Sequence, residues 1–192
     1  YTVQVKAQVD QGQFELRDFN ETAVAKYLAE QPKGTVVGYD PRLHSLDALA
    51  RMQATAKRAG VTLKPVDSNP LDSAWGAERP AQPQAPVVPH SLEYAGEDAA
   101  DKRARVGKAI AEAGADVALL TAPTSIAWLF NIRGGDVIRS PLPLGQALID
   151  SEGRARLYLD PRKVTHELPG WLGEDVTLES PDTLAEALDR MK

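Results

Sequence analysis

Ser125-Ile126-Ala127-Trp128-Leu129-Phe130-Asn131-Ile132-Arg133-Gly134-Gly135-Asp136 passes directly from an apolar run into a polar turn. Pro123, just ahead of it, suits the first turn of a short helix reaching Trp128, because a helix start leaves its first N–H groups unpaired anyway. Gly134-Gly135 then forces the chain to turn. The stretch admits two readings. In one, Trp128, Leu129 and Phe130 fill a core while Arg133 and Asp136 fasten the loop. In the other, the apolar helix holds the polar loop against a ligand or another domain, and the planar fork of Arg133 suits a carboxylate. Arg133, Asp136 and Asn131 are the candidate residues for contact with a ligand or another domain.

Working outward, Gly96 to Gly114 has the pattern of a long helix with Val106, Ile110 and Ala113 inward. Glu97, Asp98 and Asp101 fall in its first turn, where they complement the macrodipole. Asp116 to Thr121 reads as a buried strand. Beyond the central stretch, Leu144 to Ile149 and Arg156 to Leu159 read as strands joined by a hairpin at Asp150-Ser151-Glu152-Gly153. Pro161 opens a helix toward His166, Val176 to Leu178 forms a short strand, and Leu184, Leu188 and Met191 mark a last helix.

The opening residues alternate as well. Tyr1 to Val9 has the apolar–polar period of a half-buried strand. A short helix starts at Asn20 or Glu21, with Val24, Tyr27 and Leu28 on one face, and Pro32 and Gly34 stop it. Thr35 to Tyr39 and Val61 to Val66 read as strands. Between them Ser45 caps a helix striped by Leu46, Leu49, Met52 and Ala56, and Gly60 ends it. Strand and helix thus alternate, which argues for an α/β layer structure. Pro80, Pro83, Pro86 and Pro89 lie within Glu78 to His90 and favour a stiff, extended connection, placing a domain boundary there. Phe14-Glu15-Leu16 with Val24 to Leu28 resembles Val176-Thr177-Leu178 with Leu184 to Leu188. A tandem pair of related units explains this, the first without its opening and the second without its close.

Composition removes several classes of function. The 192 residues carry a net charge of −5, so no basic excess exists to neutralise phosphates, and nucleic acid is not an expected partner. The chain has no cysteine, which excludes disulfides, zinc thiolates and a thiol nucleophile. No apolar run approaches membrane-spanning length. His44, His90 and His166 stand far apart, none in a metal-ligand spacing, and no serine elbow or phosphate loop occurs. Gly134-Gly135 alone is too weak to argue a small-molecule phosphate site.

Ile126 to Val137, followed by Pro141 and a hairpin strand, resembles the IAWLFNLRGxDV motif of the long, cytosolic-type Xaa-Pro aminopeptidases. Pro65-Val66-Asp67-Ser68-Asn69-Pro70-Leu71-Asp72, then Trp75 and Glu78-Arg79-Pro80, resembles a second segment of that family. The resemblance implies an α/β fold: two tandem creatinase/prolidase N-terminal-like (ribonuclease H-like) three-layer domains with mixed sheets, the first incomplete. On that basis residues 1–78 are the C-terminal part of the first domain, 79–90 a Pro-rich linker, and 91–192 the second domain, truncated at its end. The family's catalytic "pita-bread" domain, with its dinuclear manganese centre, is expected beyond Lys192. No catalytic residue and no metal ligand maps onto this chain, which is expected to be inactive alone. The implied role is to shape the cleft for peptides with proline second, and to contribute to homodimer contacts in a cytoplasmic enzyme. The implied partner is the catalytic domain of the same polypeptide. The alternative is a stand-alone creatinase-N-like module that binds peptides or a partner without catalysis.

Overall fold

A computed structural model describes residues 2–18 and 24–191. The chain divides into two compact units, residues 1–80 and 81–192.

In the first unit, α1 (Thr2–Gln8) and α2 (Val24–Ala29) precede β1 (Val36–Tyr39), α3 (Leu46–Ala59), β2 (Thr62–Pro65) and α4 (Pro70–Trp75). The strands β1 and β2 pair in parallel, Val37 opposite Leu63, with α3 as the crossover between them. The caps of α3 follow the sequence: the Ser45 side chain accepts from the Ala48 amide, and Gly60 closes the helix in the left-handed conformation. Leu28, Ala56 and Val61 form the small core, with Val37, Met52 and Leu63 packed against them. Two expectations fail here. Thr2–Gln8 is helical, not a strand, and its side chains are exposed. A strand needs a neighbour for its ladder, and the only ladder described in this unit is β1–β2, so the amides bond locally instead, as from Val9 to Val5. Phe14 and Glu15 are likewise exposed, Leu16 is half-buried, and all three lie outside any strand, so the likeness to Val176–Leu178 does not extend to structure. The expected helix start at Asn20 or Glu21 lies outside the described residues.

The second unit is layered. Residues 81–87 lead to β3 (Val88–Pro89), α5 (Leu92–Ala95), α6 (Ala99–Glu112), β4 (Val117–Leu120), α7 (Pro123–Leu129) and β5 (Ile132–Arg133). Then come β6 (Gln146–Asp150), β7 (Ala155–Tyr158), α8 (Leu168–Leu172), β8 (Val176–Glu179) and α9 (Leu184–Asp189). The main sheet runs in the order β4-β6-β7-β8, antiparallel except for the parallel β7–β8 pair. Successive strand residues face opposite ways. Ala147, Ile149 and Leu157 point into a core with Ile110 of α6, Ile126 and Leu129 of α7, and Leu168 and Leu172 of α8. Leu148 and Tyr158 point to the other face, against Ala187 of α9. The result is helices, mixed sheet, helix: three layers. Val87 is fully buried in the main core and bridges to Val164, while β3 pairs with β5.

Local corrections concern Ala113, Glu97 and Pro161. Ala113 is exposed and stands just past the end of α6, so it does not face inward. Glu97 precedes the helix; Asp98 is its cap, accepting from the Ala100 amide. Pro161 opens only one tight turn, Pro161–Lys163, because Val164 is drawn into the bridge with Val87. His166 lies beyond that turn, and α8 follows it unexpectedly.

Candidate functional site

The helix α7 ends on Phe130, and Asn131 turns the chain with a positive φ of 47°. Asparagine tolerates this left-handed conformation better than most residues, and such a residue is a common way to stop a helix. The turn brings Ile132 back into the core as part of β5 and places Arg133 beside it. Phe130 and Ile132 are fully buried, so the ends of the turn are anchored by apolar packing.

Asn131 is itself buried and its side chain is fully engaged. Its Oδ1 accepts from Lys102 Nζ at 2.6 Å, and its Nδ2 donates to the Glu97 carbonyl at 2.8 Å. Its backbone carbonyl accepts from the His90 amide and from Trp171 Nε1. Lys102 is only 2% exposed; it also donates to the Trp128 carbonyl and lies 4.9 Å from the Trp128 ring centre. The guanidinium of Arg105, paired with Glu97, lies 5.5 Å from the same ring. A buried ammonium needs such partners, because desolvation without them is costly.

Asp136 is the second buried anchor. Its Oδ1 accepts from the Ala85 amide, and its Oδ2 accepts from the Leu144 amide and from Lys163 Nζ. Lys163 also donates to the Leu144 carbonyl at 2.6 Å. One carboxylate thus ties together the residues before β3, the turn after β5, the approach to β6 and the turn after β7.

Arg133 differs from both. Its Nη1 donates to the carbonyls of Ala127 and Ile132, at 3.3 and 2.9 Å, and the side chain is partly exposed. It lines a groove of about 290 Å³ with Tyr94, Trp128, Asn131 and Leu142. His90 stands nearby, its imidazole held below the usual range by burial and then by the charges of Arg133 and Lys102. Of the three residues singled out by sequence, therefore, Asn131 and Asp136 are spent on internal bonds, and Arg133 faces a groove. Lys102, Lys163 and Trp171 escaped sequence reasoning. Lys102 could have been found: it shares the inward face of α6 with Val106 and Ile110, at spacings of four residues.

Among the described residues, no group of three or more His, Asp or Glu side chains could hold a metal ion. No described helix is long and apolar enough to cross a membrane.

Comparison with known proteins bears on the whole chain. A family model of the creatinase/prolidase N-terminal domain matches residues 78–192. A probable Xaa-Pro aminopeptidase P of Ajellomyces capsulatus (strain H143) is 34% identical over 162 residues, 84% of this chain and 25% of that protein. A probable Xaa-Pro aminopeptidase P of Neosartorya fischeri is 34% identical over 155 residues, 80% of this chain and 24% of its own length. The chain therefore spans about a quarter of the curated relatives it matches. The crystal structure of an X-prolyl aminopeptidase from Caenorhabditis elegans, described as a cytosolic enzyme with a di-nuclear active site, superposes with a TM-score of 0.87 at 23% identity. That likeness covers 100% of this chain and 32% of that one, and it speaks to the fold.

Proposed function

The chain belongs to the creatinase/prolidase N-terminal domain family, and on that premise we propose that it is the non-catalytic N-terminal region of a longer Xaa-Pro aminopeptidase. The observation that carries this reading is the coverage: similarity runs through 84% of this chain but through only 25% of the relative. In this reading residues 1–78 are the C-terminal part of a first creatinase-N-like domain, 79–90 a Pro-rich connection whose later residues, Val87 among them, pack into the second unit, and 91–192 a second such domain truncated at its end. The parent enzyme is cytoplasmic and homodimeric, and it removes an N-terminal residue that precedes proline.

Hydrolysis in such a parent rests on a dinuclear metal centre, of manganese in this proposal, whose role is to supply an activated water for attack on the carbonyl. The described residues do not fit that centre, so no chemical step is assigned to them. Their contribution is positional. The apolar core under α7 and the buried partners of Asn131 and Asp136 hold Arg133 in a defined place, and Arg133 shapes the cleft that receives the peptide. Catalysis gains from such fixed placement because orientation entropy is lost before the reaction, not during it.

The test compares this chain with the product of the reading frame extended past Lys192, each supplied with Mn²⁺ and an Arg-Pro-Pro peptide. Release of the N-terminal residue is expected from the long product and not from residues 1–192. Turnover by the 192-residue chain alone would overturn the proposal, and a stop codon directly after Lys192 would favour a stand-alone binding module.

A further inference from the structure

Arg133 presents one side of its guanidinium to protein and leaves the other open. Nη1 is tied to the carbonyls of Ala127 and Ile132. Among the described residues neither Nε nor Nη2 of Arg133 has a hydrogen-bond acceptor, and Arg133 forms no ion pair. Those two N–H groups lie side by side and form the edge that binds the two oxygens of a carboxylate in parallel.

The surroundings favour an anion. The residues lining the groove include two cations, Arg133 and Lys102, and no aspartate or glutamate. Lys102 is too deeply buried to touch a ligand, and its hydrogen bonds go to neutral oxygens, so it adds positive charge beside the groove. The nearby carboxylate of Glu97 is already held by Arg105. The His90 imidazole is lowered first by burial and then by the charges of Arg133 and Lys102. Around Arg133 stand two aromatic rings with much surface in solvent: Trp128 is 43% exposed and Tyr94 72%. A groove of about 290 Å³ accommodates one or two residues of extended chain, not a folded domain.

We propose that this groove binds the C-terminal carboxylate of a short peptide, with the Nε–Nη2 edge of Arg133 taking the carboxylate and Trp128 and Tyr94 flanking the residue that bears it. The identity of the ligand as a peptide rests on the aminopeptidase reading above; the anion chemistry does not. In the parent enzyme such a site selects short peptides by their far end, at a distance from the bond that breaks.

The experiment follows the side-chain resonances of the 192-residue chain by nuclear magnetic resonance while the tripeptide Ala-Pro-Pro is added as its free acid or as its C-terminal amide. Sodium acetate and inorganic phosphate serve as bare anions. The free acid is expected to move the Arg133 Nε–H and the Trp128 indole N–H, and the amide to move neither. Acetate moves Arg133 alone. Both R133Q and R133K weaken free-acid binding about tenfold or more, as loss of a charge-assisted pair predicts. An unmoved Trp171 indole resonance, which reports the bonds to the Phe130 and Asn131 carbonyls, verifies that each variant keeps its fold. Equal shifts with acid and amide, no shift with either, or displacement of the peptide by an equal concentration of phosphate overturns the site. If the parent cleaves Xaa-Pro bonds while acid and amide bind alike, only this inference falls. If the acid binds selectively and the parent does not cleave, the aminopeptidase reading falls and the anion site stands.

Discussion

Lys163 and Asp136 form an ion pair in which the two side chains retain 2% and 0% of their exposure. The residues are 27 positions apart in sequence and meet under the turn that follows Arg133. A buried pair of this kind adds little stability over a well-packed apolar substitute, but losing one member leaves a charge in the interior.

The first prediction follows from that asymmetry. K163M is expected to destabilise the chain by about 3–5 kcal/mol. D136N keeps an acceptor for the Ala85 amide but strands the ammonium, and it destabilises by a similar amount. The double variant K163M/D136N removes both charges, and its loss falls short of the sum of the two by about 1–3 kcal/mol. Urea unfolding of the four proteins measures this; strict additivity would show that the charges do not interact.

Asn131 serves two purposes that can be separated. N131G keeps a residue suited to positive φ but removes the bonds to Lys102 and the Glu97 carbonyl. N131A removes those bonds too and keeps a β-carbon in the left-handed conformation, which alanine tolerates less well than asparagine or glycine. The glycine variant is expected to lose about 1–3 kcal/mol and the alanine variant about 1 kcal/mol more, read as unfolding midpoints.

Gly107 sits where α6 touches the β6–β7 hairpin. A β-carbon there would lie 2.8 Å from the Gly153 nitrogen and 2.8 Å from the Ser151 oxygen, both backbone atoms with no freedom to yield. G107A is expected to push the helix off the sheet, at a cost of about 1–3 kcal/mol or more. Unchanged thermal unfolding of G107A would contradict this close packing.

Acid behaviour gives a fourth prediction. Asp160 accepts hydrogen bonds from the side chain and backbone of Arg162, which lower its pKa to about 2 from 3.8. A carboxylate with a depressed folded pKa adds stability above its unfolded value, and that stability is lost as the pH falls through about 2. His90 behaves differently: its imidazole is depressed, so between its folded pKa and 6.5 the unfolded chain binds more protons and stability rises with pH. Titration of the Asp160 carboxyl carbon and the His90 ring proton checks both. R162Q returns Asp160 toward 3.8, and R133Q moves His90 up toward 6.5.

Much of the second unit was readable from local pattern. Pro123 and the apolar run to Leu129 gave α7, the alternation around Asp150-Ser151-Glu152-Gly153 gave the hairpin, and Ser45 with Gly60 bounded α3 in the first unit. These elements carry their signals within a few residues. The failures were non-local. Thr2–Gln8 alternates like a strand, but pairing depends on a neighbour that its own sequence does not specify. Pro161 was expected to open a helix until the bridge from Val87, 77 positions upstream, claimed Val164. Asn131, Arg133 and Asp136 were singled out together because they are the polar residues of one turn that follows an apolar helix. What separates the exposed fork from the two buried anchors is the position of Lys102 and Lys163, which no short window contains.

The turn after Arg133 has one more consequence. Ile138 is 87% exposed and Arg139 holds a positive φ of 62°, while on either side the backbone is stitched by bonds from Gly134 to Pro141 and from Asp136 to Leu142. Both strands of this loop are thus fastened below its tip. A cut between Ile138 and Arg139 would leave two stumps still gripped by Asp136, Ala85 and Leu144, so this peptide bond is a place to graft a reporter without unseating the groove.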